Sequence, residues 1–485
     1  MESGILLHIS SIPNKYGVGT FGSFSYKFID FLKKGGQTLW QILPLGPTSY
    51  GDSPYSSLSA FALNPYFIDL DMLVSDGLID KDILPPERND KKTDFKNLSH
   101  TRYNILAKAY ERNELFKDEF IKFKKEEDYW LDSYANYMVL KDEQEGKPWY
   151  DFYNDFKYKN PSSMEWLKNE YKNKIDYYKF IQFIAFKQWF KLKEYANKKG
   201  IKIIGDMPIY CAYDSADVWA NPINFQLNDN LTPKAVAGCP PDYFSPDGQL
   251  WGNPLYNWDY MKGNHYDFFV KRVKHSLKIY DILRIDHFRG FEAYYSIPFG
   301  EPTARYGSWV KGPGYRLFKE INKECKNANI IAENLGFLTK GVHKLLKDTG
   351  YPGMNIFQFE LGDLKNIPLK KGYPENNVFY TGTHDNQTIM SFYNDLDTKA
   401  RNIVNKICGI KFTDKPNLKM IEFAMRQNSK YVIIPLQDYL GLTDSEGRMN
   451  TPSTVGNNWN YMAKESDFSK EFLDYLKSHK RNKNV

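Results

Sequence analysis

The sequence predicts an α/β fold: a (β/α)8 TIM barrel with inserted, largely helical subdomains between barrel strands. Three observations lead there. Eight short apolar runs, nearly continuous in hydrophobicity, recur along the chain, the pattern of parallel strands covered on both faces. Helical periodicity fills several of the gaps between them. Most runs also end in polar or charged residues, and barrel strands open on the active site at their C-terminal ends.

The runs are ILLHI (5–9), TLWQILPL (38–45), IKIIGDMPIY (201–210), DILRIDHF (281–288), IIAENL (330–335), MNIFQFEL (354–361), NVFYTGTHD (377–385) and YVIIPLQD (430–438). After the first, Ser23 is placed to cap a helix. Phe24, Phe28, Phe31 and Leu32 share one face of that helix, and Gly35 ends it. Before the third run, Tyr177, Phe180, Phe183, Phe186 and Phe190 stand at helical spacing over 177–198. Two gaps exceed a simple crossover. Residues 46–176 hold a charged, aromatic stretch with a helical pattern at 98–145, which reads as an inserted helical subdomain. Residues 211–279 are rich in Pro, Gly, Asn and Asp and read as a substrate-binding wall with a lid loop. With no short-period repeat or low-complexity linker, residues 1–485 read as one barrel domain carrying two insertions.

Bulk properties exclude several function classes. With 485 residues, 42% of them hydrophobic, the chain can bury a large core. Sixty-five Lys and Arg against 59 Asp and Glu leave a net charge of +6, too small an imbalance to demand nucleic acid or an anionic membrane. The basic end KSHKRNKNV reads as a solvated tail. Cys211, Cys239, Cys325 and Cys408 are scattered without metal-ligand spacing, as expected of free thiols in a reducing compartment. The start, MESGILLHISS, matches neither a signal peptide nor a membrane span, so a cytoplasmic protein is expected. The 36 Tyr, 33 Phe and 10 Trp are often interleaved with polar residues, which suits ligands with apolar faces and hydroxyl rims, such as sugars.

The segment DILRIDHFRGF (281–291) carries most of the chemistry. Side chains alternate along a strand, so Arg284 and Asp286 share one face and Leu283 and Ile285 the other. Arg284 is expected to keep the Asp286 carboxyl ionised, which suits a nucleophile. By itself the segment reads equally as a plain buried salt bridge. The constellation is more specific: Asp206, Arg284, Asp286, His287, Glu333, His384 and Asp385 close four different runs and converge if the barrel closes. Two carboxylates flanking a glycosidic bond are the minimum equipment for sugar transfer. Asp286 fits the nucleophile, and Glu333, after the apolar IIA, fits the general acid. Asp385 is left to stabilise an oxocarbenium-like transition state, with Asp206 and His384 hydrogen-bonding the sugar ring. Metal chemistry is the rival reading, but HxH and HExxH are absent and Arg284 beside Asp286 opposes a cation.

At this point several long motifs resemble the 4-α-glucanotransferases (amylomaltases) of glycoside hydrolase family 77. They are GILLHISSIPNKYGVGTFG, WQILPLGPTSYGDSPYSSLSAFALNPYFIDL, GDMPIYCAYDSADVWANP, PPDYFSPDGQLWGNPLYNW, RIDHFRGF, IIAENLG, YTGTHDNQT and IIPLQDYLGL, in that order through nearly the whole chain. The resemblance implies a retaining transfer without metal or organic cofactor, on α-1,4-glucans and maltooligosaccharides as donor and acceptor. It makes Asp286 the nucleophile, Glu333 the acid/base and Asp385 the transition-state stabiliser. Ser53, Tyr55, Asp206, Arg284, His287 and His384 match family residues around the donor sugar, and Gln249 and Trp251 match the neighbouring wall. A flexible family loop corresponds to PPDYFSPDG at 240–248, with Tyr243 and Phe244 as sugar platforms. Tyr50 resembles a Tyr at a remote glucan site. Asn334 departs from the family pattern, where Asp is expected, as do Ser49 and Gln387. The resemblance leaves open a related α-1,4-glucan hydrolase and a silent glucan-binding protein, and it does not decide between monomer and homodimer.

Overall fold

The computed structural model describes residues 1–49, 51–88, 92–241, 245–336, 338–360 and 373–481. All eight apolar runs form strands: β1 (Glu2–Leu6), β2 (Leu39–Gln41), β3 (Lys202–Met207), β6 (Ile282–Ile285), β9 (Ile330–Ala332), β10 (Gly353–Ile356), β11 (Asn377–Tyr380) and β12 (Tyr431–Pro435). They pair in parallel in the order β10-β11-β12-β1-β2-β3-β6-β9. The ring is closed between β9 and β10 by two bonds. Ala332 N donates to Pro352 O at 2.9 Å, and Met354 N donates to Asn334 Oδ1 at 2.7 Å. Asn334 therefore contributes a rung to the barrel wall.

Helices cover the outside of the ring. The helix Ser23–Lys34 packs Phe28 edge-on against Trp40 of β2 at 5.2 Å, and the Trp40 indole N–H donates to Leu7 O at 2.8 Å. Trp40 is wholly buried, and burying a side chain of that size is worth about 2–3 kcal/mol. Ser23 is the first helical residue rather than the cap; Gly22 holds the N-cap position. A Cβ at Gly22 would lie 1.8 Å from an Asp69 carboxylate oxygen, so a larger capping residue does not fit.

Between β2 and β3 the helices Phe95–Tyr110, Lys117–Glu126, Asp128–Glu143 and Pro161–Glu170 lead into the long helix Lys172–Lys198. Its Phe180, Phe183, Phe186 and Trp189 are buried. The helices Asp267–Ile279, Tyr315–Glu324, Lys340–Thr349 and Pro416–Met425 follow β3, β6, β9 and β11. A second sheet, antiparallel, comprises β4 (Ala235–Cys239), β5 (Gln249–Pro254), β7 (Ala293–Pro298) and β8 (Ser308–Lys311) in the order β5-β4-β7-β8. The loop 240–248 connects β4 to β5, so its two ends are held by the Cys239–Gln249 cross-strand pair. Among the described residues no helix is long and apolar enough to cross a membrane.

Candidate active site

Asp206 and Arg284 are register partners on β3 and β6, so their side chains leave the wall on the same face. The Arg284 guanidinium is 4% exposed and touches three carboxylates. Nη1 donates to Asp206 Oδ2. Nη2 lies 3.2 Å from Asp286 Oδ1 and 3.4 Å from Glu333 Oε2.

Backbone turns bring the last two together. Asp286 is the first residue past β6, and its N–H donates to Met207 O at 3.1 Å. His287 then adopts a left-handed conformation, φ 49°, rare for a non-glycine residue, and turns the chain. Its N–H donates to the Glu333 carboxylate, and Phe288 N donates to Glu333 O at 3.0 Å. Glu333 N donates back to Ile285 O at 3.1 Å. The ends of β6 and β9 are thus stitched past their ladder, and both carboxylates face one guanidinium.

Asp385 closes the cluster from β11. Asn450 Nδ2 donates to its Oδ1 at 2.7 Å, and His384 Nε2 lies 3.4 Å from the same oxygen. The His384 ring stacks on Tyr55 at 4.9 Å and 18°, and the Tyr55 hydroxyl donates to Asp206 Oδ2 at 2.6 Å. Asp206 Oδ1 is buried without a hydrogen-bond partner, an acceptor suited to a sugar hydroxyl.

Electrostatics set the protonation states. Burial opposes the Arg284 charge, but Asp206, Glu333 and Asp286 together push its pKa well above the ordinary value, so it stays a cation. The Asp286 carboxyl does not behave as its neighbour Arg284 alone suggests. Desolvation by the surrounding protein, then the Glu333 carboxylate, push its pKa well above the usual carboxylate range and outweigh the pull of Arg284. Desolvation also acts on Asp385, but His384, Asn450 and Arg284 outweigh it and bring that group down to about 2. His287 falls to about 3 through burial and the Arg289 charge, so its imidazole is neutral. The Asp385 side chain is 48% exposed and that of Asp286 25%, which leaves both reachable from the cleft.

The remaining sequence candidates have definite places. Trp251 meets the His287 ring edge-on at 4.9 Å, and its indole N–H donates to Gln249 Oε1 at 3.0 Å, so β5 forms a wall beside the cluster. Ser53 Oγ accepts from Tyr55 N at 3.2 Å and shapes the turn that carries Tyr55. Tyr50, Tyr243 and Phe244 lie outside the described residues. Sequence reasoning missed His8, Asn450 and Trp459. His8 follows β1 much as the other polar residues end their runs, and its Nδ1 accepts from Leu43 N at 3.2 Å. Burial and His384 bring its pKa down to about 3. Asn450 and Trp459 lie in a segment without strand periodicity. Among the described residues no three His, Cys, Asp or Glu side chains are grouped to hold a metal ion.

A family model for 4-alpha-glucanotransferases, glycoside hydrolase family 77, matches residues 7–466. The chain belongs to that family. A 4-alpha-glucanotransferase of Clostridium butyricum is 46% identical over 97% of this chain and 98% of its own length. One from Aquifex aeolicus is 42% identical over 98% of each. The fold matches an amylomaltase from Streptococcus agalactiae, solved in complex with acarbose, with a TM-score of 0.96 at 37% identity, over 99% of this chain and 100% of that one. As a 4-alpha-glucanotransferase family member the protein is a glycosyltransferase-type enzyme, built on the α/β barrel that the eight runs predict.

Proposed function

We propose that the protein moves an α-1,4-glucan segment from a donor maltooligosaccharide to the 4-OH of an acceptor glucan or glucose, by retaining double displacement at the Arg284 cluster. The observation that carries this reading is the sharing of Arg284 Nη2 by Asp286 and Glu333 at 3.2 and 3.4 Å. Two carboxylates that share one guanidinium nitrogen lie near each other, which favours a retaining pair about 5 Å apart over the wider-set pair of an inverting site.

Asp286 is the nucleophile. Glu333 lies in hydrogen-bond reach of it, so a proton held by Asp286 can pass to Glu333 and leave Asp286 ionised. Glu333 then protonates the glycosidic oxygen while Asp286 attacks the anomeric carbon. The reducing-end fragment departs and a β-linked glucosyl ester remains. An acceptor 4-OH then gives its proton to Glu333 and attacks the same carbon, displacing Asp286 and restoring the α configuration. Asp385, ionised across the working pH range, faces the positive charge that develops on the ring. Asp206, Tyr55, His287 and His384 hold the ring hydroxyls, Gln249 and Trp251 line the adjoining wall, and Ser53 sets the Tyr55 turn. Tyr243 and Phe244 are assigned to a lid that favours an acceptor over water. Donor and acceptor are α-1,4-glucans of starch or glycogen type, and the working compartment is the cytoplasm.

Incubation with maltotriose in the presence of EDTA tests the reading. A ladder of longer maltooligosaccharides plus glucose, with little net gain in reducing ends, supports it. Shorter sugars alone, with reducing ends rising in step, would identify a hydrolase.

A further inference from the structure

Trp459 stands apart from the residues assigned above, because it is only 7% exposed and meets the cluster through two other rings. It meets Tyr55 at 5.9 Å and His384 at 5.8 Å, both at about 40°, and those two rings stack on each other. Each of the two grips a carboxylate: Tyr55 the buried Asp206, and His384 the cleft-facing Asp385. Tyr55 and His384 both sit on irregular loops, where no strand ladder fixes a ring and packing must do so.

The backbone around Trp459 is built to hold it there. Trp459 itself has φ 63°, a left-handed conformation that a bulky residue rarely adopts and that persists only where its surroundings enforce it. Its N–H donates to Met449 O at 2.7 Å. Within the loop so closed, Thr451 N donates to Asn458 Oδ1 at 3.1 Å, and Asn458 Nδ2 donates to Thr454 O at 3.1 Å. The other end of this loop is Asn450, whose N–H donates to His384 O at 3.1 Å and whose amide holds Asp385. One loop therefore fixes the cluster from two sides. A ring needed only for bulk would not require a strained backbone.

We propose that Trp459 is a positioning residue for transfer: it locks the Tyr55–His384 stack and thereby aims Asp206 and Asp385 at the donor sugar. This rests on the function proposed above, in which those two carboxylates face the donor sugar ring. Asp385 acts mainly as charge develops, whereas Asp206 and Tyr55 hold the ring hydroxyls, so loss of Trp459 should lower kcat by more than it raises KM.

The test is steady-state kinetics on maltotriose for Trp459→Ala and Trp459→Phe, with thermal unfolding and circular dichroism to count folded molecules. Misplacement of catalytic groups by about 1 Å costs about 10²-fold, so Trp459→Ala is expected to lose that much kcat per folded molecule with a smaller rise in KM. Trp459→Phe keeps a ring against Tyr55 and His384 and is expected to recover at least about tenfold over the alanine variant. The proposal is overturned if Trp459→Ala keeps kcat per folded molecule within about threefold of the unmodified protein, or if the phenylalanine variant is no better than alanine. Absence of any transfer by the unmodified protein would overturn the functional reading itself, and that result precedes every variant.

Discussion

Asn334 Oδ1 accepts a hydrogen bond from Met354 N at 2.7 Å and so supplies a rung between β9 and β10, beside the backbone bond from Ala332 N to Pro352 O. An amide side chain does here what a backbone carbonyl does elsewhere in the ring. Gly353 makes room for it, since a Cβ at that position would lie 2.7 Å from the same oxygen. Asn334→Ala leaves the Met354 N–H without its acceptor, which costs about 1–3 kcal/mol when the group is buried. The urea midpoint should fall accordingly. An unchanged midpoint would mean that solvent reaches this seam and replaces the rung.

The barrel was legible because a parallel strand covered on both faces must be apolar throughout, and chains such as YVIIP and KIIG leave little choice. The meeting of Asp206, Asp286 and Glu333 at Arg284 was legible because strand ends converge. The antiparallel wall was not. β5 alternates half-buried and exposed residues and is interrupted by Gly252, while β8 is exposed along its whole length, so neither carries a strong apolar signal. Asn450 and Trp459 reach the site on a loop, and loop contacts have no periodicity to read. The ionisation of Asp286 was misjudged for a related reason. The sequence shows its neighbour Arg284, whereas the opposing charge comes from Glu333, brought close only by barrel closure.

Desolvation, together with that opposing charge, makes Asp286 a cost to the fold at neutral pH. Its folded pKa lies above the unfolded value near 3.9, so the native state is penalised wherever the carboxyl must ionise. The penalty is complete above the folded pKa and vanishes as pH falls below the unfolded one. Asp286→Asn is therefore expected to abolish transfer, by about 10³-fold or more, while raising Tm at neutral pH. The gain in Tm should shrink as pH is lowered through the carboxylate range. Glucan binding should survive, because Tyr55, Asp206 and His384, proposed above to hold the sugar ring, are untouched. A variant that keeps transfer would show that another group is the nucleophile, and a Tm gain independent of pH would remove the ionisation argument.

The same coupling fixes the acid limb of the pH profile. On a donor that needs no proton from Glu333, the proposed nucleophile Asp286 has only to be ionised, so kcat/KM falls as pH drops through its pKa. Because desolvation and Glu333 raise that pKa, the limb should stand above the ordinary carboxylate range. Glu333→Gln removes the second cause and leaves the first. A donor whose leaving group needs no proton, such as a maltosyl fluoride, lets the first step proceed in that variant without its general acid. On this donor the acid limb of the Glu333→Gln profile should lie below that of the unmodified protein, in the direction of a relieved like-charge repulsion. A limb that stays in place would assign the raised proton affinity of Asp286 to desolvation alone. A limb that moves upward would mean that Glu333 acts on Asp286 as a hydrogen-bond donor that favours its ionised form, the reverse of a like-charge pair.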